Sequence, residues 1–356
     1  MTGEDTVRLL RARAQALAGG VREPTAEAVV RRVVAVQAQD ATAADLGIRV
    51  RARADLTRRA VLAAYEDERS IVRGWFMRGT LHTVLAEDVR GLLGLLAPRI
   101  LAAGGPRYRQ LGLDEGLRER ADRLIRRVLA AHGPLTRAEL TGHLGTLGVP
   151  PEGQAPFHLI RHAALTGVLC HGPRRAGEAT YVLLDDWLPA AAAPPGDQAA
   201  AAAELARRYL VAHAPATPQD FAAWSGLPAG AARTAWKDLA QSGALADHGT
   251  RTVLAGRPQE PGEPSATEDV RLLPAYDGYL VGHRTRDLSV PAPHQNRVHP
   301  GGGVIRATVV ADGLAVATWS RNPLRIDPFT PLPPRLQPLL DQETAAVTRF
   351  LDPAND

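Results

Sequence analysis

Cysteine is all but missing from this chain. The single residue, Cys170, excludes an internal disulfide, a cysteine-rich zinc site and a cysteine-ligated iron–sulfur cluster. Lysine is equally scarce: Lys237 is the only one among 42 basic residues, so 41 are arginines. Aromatic residues make up only 4%, which leaves Leu, Val and Ala to fill any core. No apolar run approaches the length of a membrane span, and the longest, Gly91 to Pro98, stops at Arg99. The N-terminus, MTGEDTVRLLRARAQAL, places acids ahead of its arginines and has no apolar stretch of the kind a secretory signal needs. These absences together lead to the expectation of a reduced, cytoplasmic, metal-poor protein without a cofactor.

What is present points to two or three domains, since 356 residues with 45% hydrophobic content suffice for cores of that number. The charge is uneven. Residues 1–190 carry 27 arginines against 21 acids, a balance of +6, whereas the remainder stands at −2. A basic N-terminal half suits a polyanionic partner. Part of the arginine bias, however, belongs to the composition of a GC-rich genome.

The clearest organising signal is an internal repeat. RRVLAAHGPLTRAEL (Arg126 to Leu140) and RRYLVAHAPATPQDF (Arg207 to Phe221) align at a constant offset of 81 residues. In each copy an amphipathic helix ends at Ala-His, a proline breaks it and a threonine caps the next helix. Thr136 with Glu139 forms a capping box, and Thr217 with Asp220 a weaker version. A third helix follows in each (Pro156 to Leu169, Pro228 to Leu245), then a turn and a β-branched run. This is the winged helix-turn-helix plan.

A more divergent copy is expected at the N-terminus. Its helices would be Asp5 to Leu17, a second capped by Thr25, and Leu56 to Tyr65, with a wing at Ser70 to Leu85 turning near Arg78-Gly79. Ala190 to Ala203 and Gly256 to Ser265 read as linkers. Beyond them, Val270 to Leu273, Tyr279 to Val281, Gly303 to Val310 and Leu314 to Trp319 read as strands. Ala311-Asp312-Gly313 is the hairpin turn, and Asp341 to Leu351 a final helix. The expected fold is therefore mainly α with β wings (α+β): three tandem winged helices over residues 1–105, 106–189 and 198–258, and a C-terminal β-rich segment over 266–356.

Tandem winged helices lie along duplex DNA, presenting arginine to grooves and phosphates. Arg49, Arg51, Arg53, Arg58 and Arg59 crowd the first copy, Arg73 and Arg78 sit in its wing, and Arg174 and Arg175 in the second wing. Plain solvated surface is the competing explanation for any one of them. The second copy's third helix offers only His158, Arg161 and His162, a poor set for reading bases, so backbone binding by shape is expected. His158 and His162 at i, i+4 lack the glutamate of a zinc hydrolase helix and read as surface or core histidines. Gly301-Gly302-Gly303 lacks the spacing of a phosphate loop.

Val36-Gln37-Ala38-Gln39-Asp40 follows the second helix. Glutamines two apart lie about 200° apart around a helix axis. If the helix ends here, a period of two points both amides one way and buries Ala38. Taken alone, two glutamines at a helix end are more often plain capping polars.

The repeats, VQAQD, VRGWFMRGTLHTV in the first wing, LLPAYDGYLVGHR (Leu272 to Arg284) and GGVIRATVVADGLAVATW (Gly302 to Trp319) together resemble, over most of the chain and in the same order, the AlkZ/YcaQ family of winged-helix DNA glycosylases. The family's catalytic signature is Gln–apolar–Gln in one branch and Gln–apolar–Asp in the other; Gln37-Ala38-Gln39 has the first form. The resemblance implies a glycosylase that releases N7-alkylguanine, unhooks interstrand crosslinks and confers self-resistance to an azinomycin-type alkylating agent, with Gln37 and Gln39 catalytic. Asp40 reads first as a helix-end acid.

A cationic N7-alkylguanine leaves without a general acid, so amide dipoles suffice. Only Lys237 and the N-terminal amine could form the Schiff base of a strand-cleaving enzyme, and Lys237 lies far along the chain from the glutamines, so a monofunctional enzyme leaving an abasic site is expected. The scarcity of aromatics argues against an aromatic-lined pocket for a flipped base. The loop Pro291 to Gly303, with His294 and Arg297, is a further candidate for DNA contact. The expected partner is damaged duplex DNA met by a monomer, with no membrane. The rival reading is a non-catalytic winged-helix regulator or DNA-binding protein, and a third is a protein that sequesters the drug.

Overall fold

The structure, a computed structural model, describes residues 2–188, 197–257 and 269–352. The chain divides into two compact units, Met1–Val61 with Ala199–Asp356, and Leu62–Gln198. Helices dominate and the sheets are small and antiparallel, the α+β character expected.

The first unit opens with α1 (Gly3–Ala14), whose N-cap Thr2 forms a capping box with Asp5. α2 (Ala26–Val33) is capped by Thr25 and buries Ala26, Val29, Val30 and Val33, a helical stripe at i, i+3, i+4 and i+7. A short extended segment, β1 (Val36–Gln37), then leads to α3 (Ala41–Arg49), a helix absent from the sequence reading. α4 (Arg58–Glu66) is the helix expected at 56–65 and runs across the boundary between the units.

In the second unit, β2 (Ile71–Trp75) and β3 (Leu81–Leu85) pair antiparallel from Ile71↔Leu85 to Trp75↔Leu81, turning through Met77–Gly79 as the wing reading required. The long α5 (Val89–Gln110) follows. Next come α6 (Glu115–His132), β4 (Leu135–Thr136), α7 (Arg137–Leu144), α8 (Ala155–Leu165), β5 (Leu169–His171), β6 (Thr180–Leu183) and the single turn α9 (Leu184–Trp187). The three strands order β4-β6-β5. Leu124, Ile125, Leu140, Leu159 and Ile160 from the three helices form the centre of this unit's core. Leu140 and Leu159 are fully buried, so truncating either to alanine costs about 2–5 kcal/mol.

α10 (Gln198–His213), α11 (Pro218–Ser225), α12 (Ala229–Gln241) and the hairpin β7 (Leu245–His248)/β8 (Arg251–Leu254) repeat the same order in the first unit. Both capping boxes are reciprocal: Thr136 and Glu139 cap each other's backbone, and so do Thr217 and Asp220. Of the expected linkers, residues 190–196 and 258–265 lie outside the described residues, while 198–203 are already helical.

The C-terminal region contains β9 (Val270–Leu273), α13 (Gly278–Val281), α14 (Gln295–Val298), β10 (Thr308–Ala311), β11 (Leu314–Arg321), β12 (Leu324–Pro328) and α15 (Gln337–Leu351). The sheet runs β12-β11-β10-β9, antiparallel throughout. Asp312 and Gly313 both take positive φ in the β10–β11 turn. Two strand expectations are corrected. Residues 279–281 form a helical turn because Asp277 caps it, accepting a 2.9 Å bond from the Tyr279 N–H. The strand expected from Gly303 begins only at Thr308, since Gly301, Gly302 and Gly303 all have positive φ. Among the described residues, no helix is long and apolar enough to cross a membrane.

Candidate active site

The glutamine motif occupies a forced change of direction. α2 ends at Val34, whose φ of 68° and ψ of −44° lie outside the ordinary regions for a β-branched residue. That break turns the chain from helix into β1 and sets the motif in extended backbone. Gln37 is 9% exposed and Ala38 fully buried, whereas Gln39 and Asp40 are exposed. The motif thus runs from the interior to the surface. Gln37 Oε1 is buried and has no hydrogen-bond partner. A buried carbonyl left that way costs about 1–3 kcal/mol, a cost retained most often where a ligand or water completes the set.

Asp40 is held as the N-cap of α3, its Oδ1 accepting from the Ala43 N–H at 2.9 Å. Its other oxygen lies 3.5 Å from Arg321 Nη2. The helix-end reading of Asp40 therefore describes its position. Gly47, two turns along α3, has no side chain to hold the helix off β1: a Cβ there would sit 3.1 Å from Val36 Cγ1.

α3 is anchored from below by a buried clamp. Arg51, 2% exposed, donates through Nη2 to Asp277 Oδ1 at 2.7 Å and through Nη1 to Asp277 Oδ2 at 2.8 Å. The same guanidinium donates to the Gly47 carbonyl and to Gln15 Oε1, each at 2.8 Å. Gln15 passes the network on to the Ala212 carbonyl at 2.8 Å. A fully buried charge survives only with such pairing.

This corrects the DNA-contact expectation for two arginines. Arg51 is enclosed, and Arg49 is held by Glu343 through both forks at 2.6 and 3.1 Å. Each is already paired with a carboxylate of the protein. Arg297 is likewise engaged: it lies 2.6 Å from Asp327 Oδ2, donates to the Pro328 carbonyl at 3.0 Å and covers the Phe329 ring. His294 stacks on that same ring, with centroids 4.6 Å apart. The loop they share is thus tied to the β12 end. Arg58 stands 3.9 Å from the buried Asp45. Arg59 and Arg78 are exposed, Arg73 and Arg174 half-buried, and Arg53 exposed. Arg175, exposed, is bonded to Glu139. His162 is a satisfied core histidine, with Nδ1 3.1 Å from Asp122 Oδ1.

Several histidines are held neutral by burial. Loss of solvent lowers His82 and His171 to about 3, and lowers His213 and His283 as well, with nearby arginines pushing the same way. The Cys170 thiol, also buried, is pushed up to about 12, which removes it as a nucleophile.

Beside Asp40 opens a cleft of about 620 Å³ between α3 and the four-stranded sheet. Ala43, Leu46, Pro274, Tyr276, Ile305 and Trp319 give it apolar walls, and Arg306, Arg321 and Arg325 line it as well. Two aromatics, Tyr276 and Trp319, are thus among its lining residues. Tyr276 has φ of +62°. Neither feature was visible in the sequence, because nothing local in LLPAYDGYL marks the strain. Among the described residues, no group of three or more His, Cys, Asp or Glu side chains is arranged to hold a metal ion.

The profile of the family described as DNA glycosylase AlkZ-like matches residues 30–350. The chain belongs to the AlkZ-like DNA glycosylase family. An interstrand DNA cross-link repair glycosylase of Streptomyces sahachiroi is 29% identical over 359 residues, which cover 92% of this chain and 91% of that one. The solved structure of the Streptomyces sahachiroi DNA glycosylase AlkZ superposes with a TM-score of 0.79 at 24% identity, covering 98% of this chain and 96% of that one. The AlkZ-like fold thus spans nearly the whole molecule, and the glutamine motif falls inside the matched region.

Proposed function

We propose that this AlkZ-like glycosylase hydrolyses the N-glycosidic bond of N7-alkylguanine in duplex DNA, unhooks interstrand crosslinks joined through that atom, and leaves an abasic site. The observation that carries the reading is the Gln37 carbonyl, buried without a partner next to an exposed Gln39. Alkylation at N7 makes the guanine a cationic leaving group, so no general acid is required at the base. The remaining barrier lies in the positively charged, oxocarbenium-like sugar and in placing a water. Gln37 Oε1 aims its dipole at that charge or holds the water, while the Gln39 amide N–H groups bind a sugar or phosphate oxygen.

The similarity to a curated cross-link repair glycosylase supports the crosslink as substrate. The lone lysine, Lys237, sits exposed on α12, and with no other lysine in the chain the reading is monofunctional. Arg59, Arg78, Arg174 and Arg175 are the arginines proposed to meet the DNA backbone, and the protein is taken to act as a monomer.

The test is incubation of the purified protein with duplexes carrying N7-methylguanine or an N7–N7 interstrand crosslink, scoring free base and alkali-labile sites. Release by the wild type, falling by about 10²–10³ in Gln37→Ala and in Gln39→Ala, is the expected outcome. Tight binding without base release from either duplex would leave a winged-helix DNA-binding protein instead.

A further inference from the structure

The cleft beside Asp40 adjoins the glutamine motif along the chain. We propose that it receives a planar, apolar substituent carried on N7 of the damaged guanine, and that Tyr276 is the residue that selects for it. This deepens the function proposed above and rests on its lesion being an N7 adduct.

Four observations converge. The volume, about 620 Å³, falls within the range of pockets that enclose drug-sized groups. Its position fits, because Asp40 lines it and follows Gln39 directly in the chain. A group attached to the reacting base would therefore enter next to the motif. The walls suit a flat ring: Trp319 has its one polar atom already satisfied, Nε1 donating to the Leu273 carbonyl at 2.7 Å, so it offers an apolar surface. Arg306 and Arg321, which also line the cleft, are engaged by the Arg297 carbonyl and by Asp40, so the apolar walls are what the cleft offers a ring.

The fourth observation is the strain. Tyr276 sits at φ +62°, a conformation a tyrosine does not adopt unless its surroundings impose it. The imposition is visible in the next residue, since Asp277 is fixed by both forks of Arg51 and caps α13. Arg51 also binds the Gly47 carbonyl of α3. One buried clamp thus fixes the loop that carries Tyr276 and the helix that forms the facing wall. A tyrosine whose backbone is held at positive φ thus lines the cavity.

The experiment measures binding, so it does not depend on turnover. Duplexes would carry N7-methylguanine or an N7-guanine adduct bearing a planar aryl group, each on a 2′-fluoro sugar that resists depurination. The wild type is expected to bind the aryl adduct roughly tenfold more tightly than the methyl adduct, as ring stacking implies. Tyr276→Phe should keep that ratio. Tyr276→Ala, and separately Ala307→Trp, which fills the cleft from β10's approach and leaves Tyr276 in place, should reduce it to within about twofold of unity. A wild-type ratio near one, or a ratio unmoved by both substitutions, overturns the proposal. Base release from ordinary sugars by Gln37 and Gln39 variants is scored separately, so failure of the catalytic reading shows there and not in the binding ratio.

Discussion

Arg51, Arg49 and Arg22 of the first unit do work opposite to that of Arg123 and Arg126 of the second. In the first, Arg51 is enclosed at 2% exposure and bound to Asp277, Arg49 to Glu343 and Arg22 to Asp269. There the residue is a structural rivet whose five donors tie distant segments together. In the second, Arg123 and Arg126 on α6 stand 68% and 51% exposed, beside acids they meet only at 3.7 and 3.4 Å. Pairs of that kind contribute little. The positive excess of residues 1–190 therefore cannot be taken as a map of a DNA surface. Burial, which composition does not record, sorts the arginines that hold the fold from those that remain for a phosphate.

The strongest way to break that distinction is to remove one half of the clamp. Asp277→Ala leaves the Arg51 charge buried and unpaired, and should destabilise the first unit by about 3–5 kcal/mol in urea unfolding. Replacing both with leucine should recover most of that loss. Arg126→Ala should stay within about 0.5 kcal/mol of wild type. If Asp277→Ala and Arg126→Ala are alike, the contrast between the units is wrong.

A second effect acts on both units. His82 and His171 in the second, and His213 and His283 in the first, have pKa values lowered by burial. The sign follows directly. Above the unfolded value of about 6.5 these rings are neutral in both states. Below it only the unfolded chain binds the protons, so stability falls as pH drops from 6.5 toward the lowered folded values, which are near 3 for His82 and His171. Each histidine should remove about 1.4 kcal/mol per pH unit once that regime is reached. Urea midpoints at pH 7.5 and 5.5 test it: equal midpoints would mean the rings are hydrated in solution.

Much of this was legible in the chain because it rests on local chemistry. The capping boxes at Thr136 and Thr217, the turn at Arg78-Gly79 and the amphipathic stripe of α2 are each set within a few residues. The glutamine motif read as plain helix-end polars by type and spacing, and the family resemblance singled it out. Other features escaped for identifiable reasons. α3 is a short helix that buries Ala43, Ala44, Asp45, Leu46, Gly47 and Ile48 in succession, so its burial follows no one-sided stripe. The turn at Gly278–Val281 looked like a strand because Tyr, Leu and Val favour one, and a single capping carboxylate overrode them. Arg51 and Asp277 are 226 residues apart. No spacing rule links them, and with that pair went the cleft and the strain at Tyr276.

The smallest effect is the one that sharpens the comparison from the exposed side. Arg174 and Arg175 belong to the β5–β6 wing of the second unit, and Arg175 is half exposed even with Glu139 beside it. If they meet phosphates, Arg174→Ala and Arg175→Ala should each reduce the slope of log binding constant against log salt by roughly one, equally for all duplex sequences, while hardly moving the unfolding midpoint. A buried rivet must show the reverse: Arg51→Ala should collapse stability and, in whatever protein remains folded, leave the salt slope unchanged. The slope is the right discriminator because it counts counterions displaced at the interface and is blind to charges the protein has already neutralised within itself. Slopes unmoved by both wing substitutions would remove this wing from the DNA surface and shift the search to Arg59 and Arg78.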